Sequence, residues 1–362
     1  MRNNRKLKAL FAVMAVVLAM GLLALAAGCG GGTTSSATTS AGPVTNFDKT
    51  ASLMNQFLNS PAATQTISAT DLNKLLTSGK PADAPLVIDV RSATDYAQAS
   101  SASPGHIPGA INIPFKTIAS PDSIAKINAE LAKHTNKTIV VHCYTAHTQS
   151  IDIPILYDLA QSGKLGSPAP KIEGLDWGML GYNSVEKPPS YSNTYPLATA
   201  STQETATFPL PTVSGDLIAQ AQQVLPNMPG RLNVGADQAI NKKPLSSYTI
   251  IDIRSASDYA KGHIPGAINL PYQDLFKKVG DTYPNLVKID RSKQILVTGD
   301  RHDLEEYVAI GLNLLGISQQ KSNTGALGFD IATWNNTVGR KFTTADKNSL
   351  PVVTGAAPGG AG

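Results

Sequence analysis

The chain of 362 residues has two thiols, Cys29 and Cys143, and Cys143 stands where a thiol can act as a nucleophile. A mostly apolar run, Thr138–His142, ends at the cysteine. The loop Tyr144-Thr145-Ala146-His147-Thr148 follows, and then a segment with helical spacing of apolar residues. In an open α/β sheet, ligands bind beyond the carboxyl ends of the strands, where loops lead into helices. A loop entering a helix presents unpaired amide N–H groups and the positive end of the helix dipole. Such a place favours an anion, and it can lower a thiol from its solution pKa near ~8.5 by roughly one to several units. The position suits a thiolate and, after reaction, a persulfide anion. The competing reading is a small buried core residue, as most free cysteines are. His147 could supply positive charge when protonated or donate a hydrogen bond when neutral, or it could simply face solvent. Tyr144 and Thr145 either shape the mouth of a site or cover it.

The elements that would position this loop occur twice. VIDVRSATDY, GHIPGAINIP and TIVVHC in the first half correspond to IIDIRSASDY, GHIPGAINLP and QILVTG in the second. Asp89 recurs as Asp252, an offset of 163, and Cys143 falls opposite Gly299, an offset of 156. A period near 160 residues is too long for a solenoid unit and fits a duplicated globular domain. Leu86–Val90 and Thr138–His142 read as buried parallel strands, as do Thr249–Ile253 and Gln294–Thr298. Helical spacing marks Asp71–Leu76, opened by the cap-like Ser68-Ala69-Thr70-Asp71, and also Ser123–Lys133, Ser150–Ser162 and Leu304–Leu315. Strands alternating with helices give an α/β class: two doubly wound domains, each with a mainly parallel central sheet flanked by helices.

Asp89-Val90-Arg91, Tyr96, Gly105-His106-Ile107-Pro108-Gly109-Ala110 and a cysteine loop after a strand together resemble the rhodanese family of sulfurtransferases, in tandem over residues 67–183 and 213–338. The resemblance implies that Cys143 takes sulfane sulfur from a donor such as thiosulfate or polysulfide, holds it as a persulfide, and passes it to a thiol or cyanide. No cofactor is implied. Tyr144, Thr145, Ala146, His147 and Thr148 carry over as the substrate-binding backbone cradle. Many members have Gly where this chain has Ala146, so a turn of positive φ could be altered. Many have Arg where this chain has Thr148, and the missing bidentate fork counts against a phosphatase. His106, His263, Arg91 and Arg254 recur in the copy without a thiol, so they read as fold, the arginines pairing with a carboxylate such as Asp95 or Asp258. Gly299-Asp300-Arg301-His302-Asp303 has the loop without the nucleophile. Its acidic and histidine residues read as a solvated turn, and no metal site is expected.

Arg2, Arg5, Lys6 and Lys8 precede nineteen residues without a polar side chain, Ala9–Ala27, and then Gly28-Cys29. This is a secretory signal. An uncleaved membrane helix is the alternative. Small residues before Cys29 resemble a bacterial lipobox, which implies acylation of Cys29 and a lipid-anchored protein of the cell envelope, facing outside the cytoplasm. The formal charge of +4 comes from those four basic residues, so the remainder is balanced and gives no electrostatic support for nucleic-acid binding. The expected organisation is a signal peptide (1–28), a Gly/Ser/Thr-rich tether (29–45), a catalytic domain (62–184), a linker (185–212), an inactive domain (213–340) and a disordered tail (341–362). A non-catalytic binding lipoprotein that uses the same scaffold to dock a redox or transport partner is the alternative function.

Overall fold

The computed structural model describes residues 44–97, 105–183, 193–200, 206–229, 232, 243–301, 303–318, 326–337 and 339–354. From Val44 onward they belong to one compact unit, built from two lobes of the same plan. The signal segment, Cys29 and most of the tether lie outside the described residues.

Helix α1 (Asn46–Leu58) leads, with Thr45 accepting from the Asp48 amide in a capping box. The first lobe then runs β1 (Thr66–Ile67), α2 (Ala69–Leu76), β2 (Leu86–Asp89), α3 (Ala93–Ala97), β3 (Ile111–Asn112), α4 (Pro121–Leu131), β4 (Thr138–His142), α5 (Gln149–Gln161), β5 (Lys171–Leu175) and α6 (Gly178–Tyr182). After α7 (Leu217–Val224), the second lobe runs β6 (Tyr248–Asp252), α8 (Ala256–Lys261), β7 (Ile268–Asn269), α9 (Tyr272–Leu275), β8 (Gln294–Gly299), α10 (Leu304–Leu314), β9 (Leu327–Asp330) and α11 (Ile331–Trp334). The sheets have the orders β1-β5-β4-β2-β3 and β7-β6-β8-β9, every pairing parallel.

Register supports the overlay of the two copies residue by residue. Asp89 lies opposite His142 across β2 and β4, and Asp252 lies opposite Thr298 across β6 and β8. Cys143 and Gly299 therefore follow equivalent strand positions. Strand alternation sets the faces. Ile139, Val141 and Cys143 enter a core shared by both lobes, whereas Val140 enters a smaller cluster on the other face of the first sheet. The shared core also takes Met54 and Phe57 of α1, Ile151 and Ile155 of α5, and Tyr307 and Val308 of α10. A helix buried on nearly every side needs apolar residues all round, and α5 and α10 both have them.

Described parts of the expected linker and of the expected disordered tail both pack against the lobes. Within the expected linker, Thr194 and Ala198 form antiparallel bridges with Asn335 and His263, and Pro196 accepts from the Trp334 indole at 3.0 Å. The expected disordered tail is corrected over residues 341–354, which return to the first lobe. Phe342 is buried edge-on against Trp177 with ring centroids 5.1 Å apart, Arg340 pairs with Asp176, and Val353 exchanges backbone hydrogen bonds with His106 at 2.9 and 3.0 Å. Its apolar side chains are the reason, because Leu350 and Val352 cover the outer cluster of the first lobe.

Phe342→Ala should therefore cost about 3 kcal/mol in unfolding free energy, as for other buried Phe truncations. Urea denaturation followed by fluorescence measures it, and an unchanged midpoint would show the segment to be free.

Candidate functional site

The repeated motifs build the frame on which the loop stands. Arg91 Nε and Nη2 reach the Asp89 carboxylate at 2.9 and 2.5 Å, and Nη2 also donates to the Gly105 carbonyl at 2.7 Å. Arg254 does the same with Asp252, at 3.0 and 2.6 Å, and with Gly262, at 2.8 Å. The bidentate partner is the carboxylate two residues upstream rather than the expected Asp95 or Asp258, because the guanidinium folds back onto its own strand end. His106 stacks on Tyr96 at 3.6 Å and sets Nδ1 2.8 Å from the Tyr96 carbonyl, while His263 stacks on Tyr259 in the same way. Both tyrosine hydroxyls donate to an alanine carbonyl of the GHIPGA turn, Ala110 or Ala267. These residues tie the end of one strand to the next turn.

Cys143 follows β4 at its carboxyl end, 2% exposed. Its amide donates to Gln149 Oε1 at 3.1 Å, and Gln149 Nε2 donates to the Leu175 carbonyl at 3.0 Å. Gln149 thus locks the cysteine to β5. The backbone amides of Gln149, Thr145 and Thr148 lie close enough to the thiol to favour its charged form. Behind the loop, Met179 and Leu180 donate backbone hydrogen bonds to the Cys143 and Tyr144 carbonyls at 2.9 and 2.8 Å. Gly178 makes this approach possible at φ +54°, since a Cβ there would stand 2.6 Å from the Cys143 carbonyl oxygen. Ala146 keeps a left-handed turn, φ 69°, despite carrying a side chain, and its carbonyl accepts from Ser150 Oγ at 2.8 Å. The turn is retained at a cost of about 1–2 kcal/mol. Tyr144, Thr145, His147 and Thr148 are half-buried around the cysteine, with Tyr144 packed beside Trp177, Leu180 and Phe342.

The electrostatics differ from expectation. Burial pushes the Cys143 thiol up to about 11; the three amides pull the other way, and the Glu306 carboxylate of α10 adds to the rise. The amides of the helix entrance are in place, but removing the sulfur from water outweighs them. At neutral pH only about one thiol in ten thousand is ionised at that value. His147 does not simply face solvent: its Nδ1 lies 2.8 Å from Glu306 Oε1, and the Glu306 side chain is fully buried. The second-copy loop also differs from a solvated turn. Asp303 is buried and takes Arg301 as its partner, while Asp300 is exposed and His302 lies outside the described residues. Gln149 and Glu306 were not singled out by their sequence context. The signal for Gln149 was its counterpart six residues after Gly299, which is Glu305; the signal for Glu306 was an acidic residue inside an otherwise apolar helix.

Two parallel α/β lobes of one plan, each with an Asp-x-Arg strand end and a GHIP turn, and a strand-end cysteine loop in the first, define a duplicated α/β fold. A family model, the rhodanese-like domain, matches residues 68–168 and 236–320, a little over half of the chain. The chain belongs to the rhodanese-like family. Among curated proteins none matches it. Solved structures similar to it include an EanB variant in complex with hercynine (15% identity, 80% of this chain and 64% of that chain, TM-score 0.26) and wild-type EanB (15%, 82% and 65%, 0.25). The anaerobic ergothioneine biosynthesis enzyme from Chlorobium limicola, bound to trimethyl histidine, is another (17%, 82% and 66%, 0.24). The chain spans just under two thirds of the length of each of these proteins. No helix among the described residues is long and apolar enough to cross a membrane.

Because the thiol is held neutral, alkylation of Cys143 by iodoacetamide should keep rising with pH beyond 9. The rate is to be read by peptide mass between pH 6 and 10. A plateau reached below pH 8.5 would contradict the direction of the shift.

Proposed function

We propose that the protein is an exported, membrane-anchored sulfurtransferase that carries sulfane sulfur on Cys143. The observation that supports this most is the closeness of the Thr145, Thr148 and Gln149 amides to the Cys143 thiol, in a chain of the rhodanese-like family. Amides held near a sulfur can stabilise the negative charge of a persulfide as well as that of a thiolate. With thiosulfate as donor, the cysteine sulfur bonds to the sulfane sulfur while sulfite leaves with the electrons of the broken S–S bond. A thiol or cyanide then removes the sulfane sulfur and regenerates the cysteine. In the second lobe Gly299 supplies no nucleophile, so one lobe carries sulfur and the other supports it. Export and anchoring rest on the basic start, the apolar run Ala9–Ala27 and Cys29 in a lipobox-like setting.

The burial of Cys143 favours one alternative, a binding lipoprotein in which the loop is a structural relic. The two differ in a single measurement. After incubation with thiosulfate or polysulfide, the intact protein should gain the mass of one sulfur atom, lose it on addition of dithiothreitol, and gain nothing as Cys143→Ser. A wild-type protein that gains no sulfur from either donor is a binding module. Cys29→Ala should move the protein from the membrane fraction of the producing cells; retention there would count against the lipid anchor.

A further inference from the structure

The two lobes differ in how far their sheets stay closed beside the loop. On the β2 side of β4 they match: Val90 donates to the His142 carbonyl at 3.0 Å, and Ile253 donates to the Thr298 carbonyl at 2.9 Å. On the other side the second lobe keeps β8 paired with β9 to the strand end, Thr298 opposite Phe329 and Gly299 opposite Asp330. In the first lobe the pairing of β4 with β5 stops at Val141 opposite Gly174, the counterpart of Val297 opposite Gly328. His142 and Cys143 are therefore out of the ladder where their copies are still in it. The Gln149 side chain stands in the opening. Its Oε1 accepts from the Cys143 amide at 3.1 Å, and its Nε2 donates to the Leu175 carbonyl at 3.0 Å. A carboxamide offers an acceptor and a donor as a peptide group does, so it bridges the two strand ends as a piece of backbone would. Gly174 leaves the space, because a Cβ there would lie 2.8 Å from Gln149 Nε2. At the same place the second lobe has Glu305, and an ionised carboxylate accepts but cannot donate to a strand carbonyl. The lobe with the amide has the opened sheet, and the lobe with the acid has the closed one.

We propose that the Gln149 side chain is a positioning residue for sulfur transfer: its carboxamide holds the ends of β4 and β5 apart and fixes the Cys143 backbone, and through it the sulfur, at the head of the loop. The inference rests on the sulfurtransferase reading above and deepens it, since it names what the first lobe has besides the thiol. The sulfur is only a few bonds from the clamped amide, so a strand end that slides or closes carries the nucleophile with it. Misplacing a reacting atom by about 1 Å can cost on the order of 100-fold in rate. Both hydrogen bonds are needed. The one to Cys143 holds the cysteine, and the one to Leu175 holds the carboxamide against β5, so a side chain that keeps only the acceptor loses its anchor.

The test compares the full-length wild type with Gln149→Met and Gln149→Glu, using single-turnover persulfide formation from thiosulfate and alkylation of Cys143 by iodoacetamide. Methionine keeps the length of the side chain and loses both hydrogen bonds. Gln149→Met should lower the maximal rate of persulfide formation about 10–100-fold, with half-saturation by thiosulfate within about twofold. Glutamate imitates glutamine only while protonated, when its O–H can donate to Leu175. The alkylation rate of Gln149→Glu relative to wild type should therefore fall at least about tenfold from about pH 5.5 to 8.5, as the acid ionises and its charge also holds the thiol protonated. For Gln149→Met the same ratio should vary less than about threefold over that range. A Gln149→Met maximal rate within about threefold of wild type, or the same pH dependence in both variants, overturns the proposal. If Gln149→Met fails to fold, the pH dependence of Gln149→Glu against wild type decides; if Gln149→Glu fails, the maximal rate of Gln149→Met does. Alkylation needs no sulfur donor and separates the two claims. A wild type that gains no sulfur while the variants differ in pH dependence sinks the sulfurtransferase reading and leaves the clamp standing, whereas persulfide formation at wild-type rate in Gln149→Met does the reverse.

Discussion

The rest of the structure depends on one helix packing against its own repeat. Helix α5 leaves the cysteine loop and lies against α10, which leaves the corresponding loop of the second lobe, and both are buried along almost their whole length. Helix α1 wedges against both, its Phe57 ring edge-on to Tyr307 at 5.0 Å. Cys143 lies in the core that this interface shares. The packing places the start of one helix, and the amides that attend it, inside the shared core. The same burial that raises the thiol brings a carboxylate of the opposite lobe onto His147.

Such an interface carries unfavourable groups that apolar packing must offset. Asp152, one turn into α5, is fully buried, and neither carboxyl oxygen has a hydrogen-bond partner among the described residues; burial holds its pKa well above the carboxylate range. Such burial favours the neutral acid, which costs far less than an unpaired charge. Glu305 and Glu306 share the same burial on the facing helix. A core this rich in acids is not the product of stability alone. Among them, Glu306 lies against His147 of the loop.

Much of the frame was legible in the sequence, because its signals are local. Leu86–Val90 and Thr138–His142 announce buried parallel strands through mostly apolar runs, and the repeated GHIPGA turn announces that whatever it does, it does in both lobes. The stacking of His106 and His263 on their tyrosines is the physical content of that repetition. The helix after the loop was also visible, from its spacing, to within one residue at either end. What did not show was anything set by contact between distant segments. The choice of Asp89 over Asp95 for Arg91 depends on a side chain folding back along its own strand. The docking of residues 341–354 depends on an apolar cluster that another part of the chain leaves uncovered. The rise of the thiol depends on how deeply the folded chain buries the sulfur, and no local signal of a helix entrance reports that depth.

The contrast between Cys143 and Gly299 gains a cause from this geometry. In the first lobe the residue six positions after the cysteine is Gln149, neutral, accepting from the Cys143 amide and donating to β5. In the second it is Glu305, and a Cβ placed on Gly299 would lie 3.1 Å from Glu305 Oε2 and 3.3 Å from an Ile253 side-chain carbon. A cysteine returned to position 299 would meet crowding and a buried carboxylate, both unfavourable to a thiolate. The second lobe therefore differs from the first by more than a missing nucleophile. Its helix carries acids where the first carries Gln149 and Ser150: Glu305 stands against the Gly299 position, and Glu306 reaches His147 of the first lobe. A lobe altered in this way is no longer a spare copy of the first; its contribution is the surface it presents to the loop that kept its thiol.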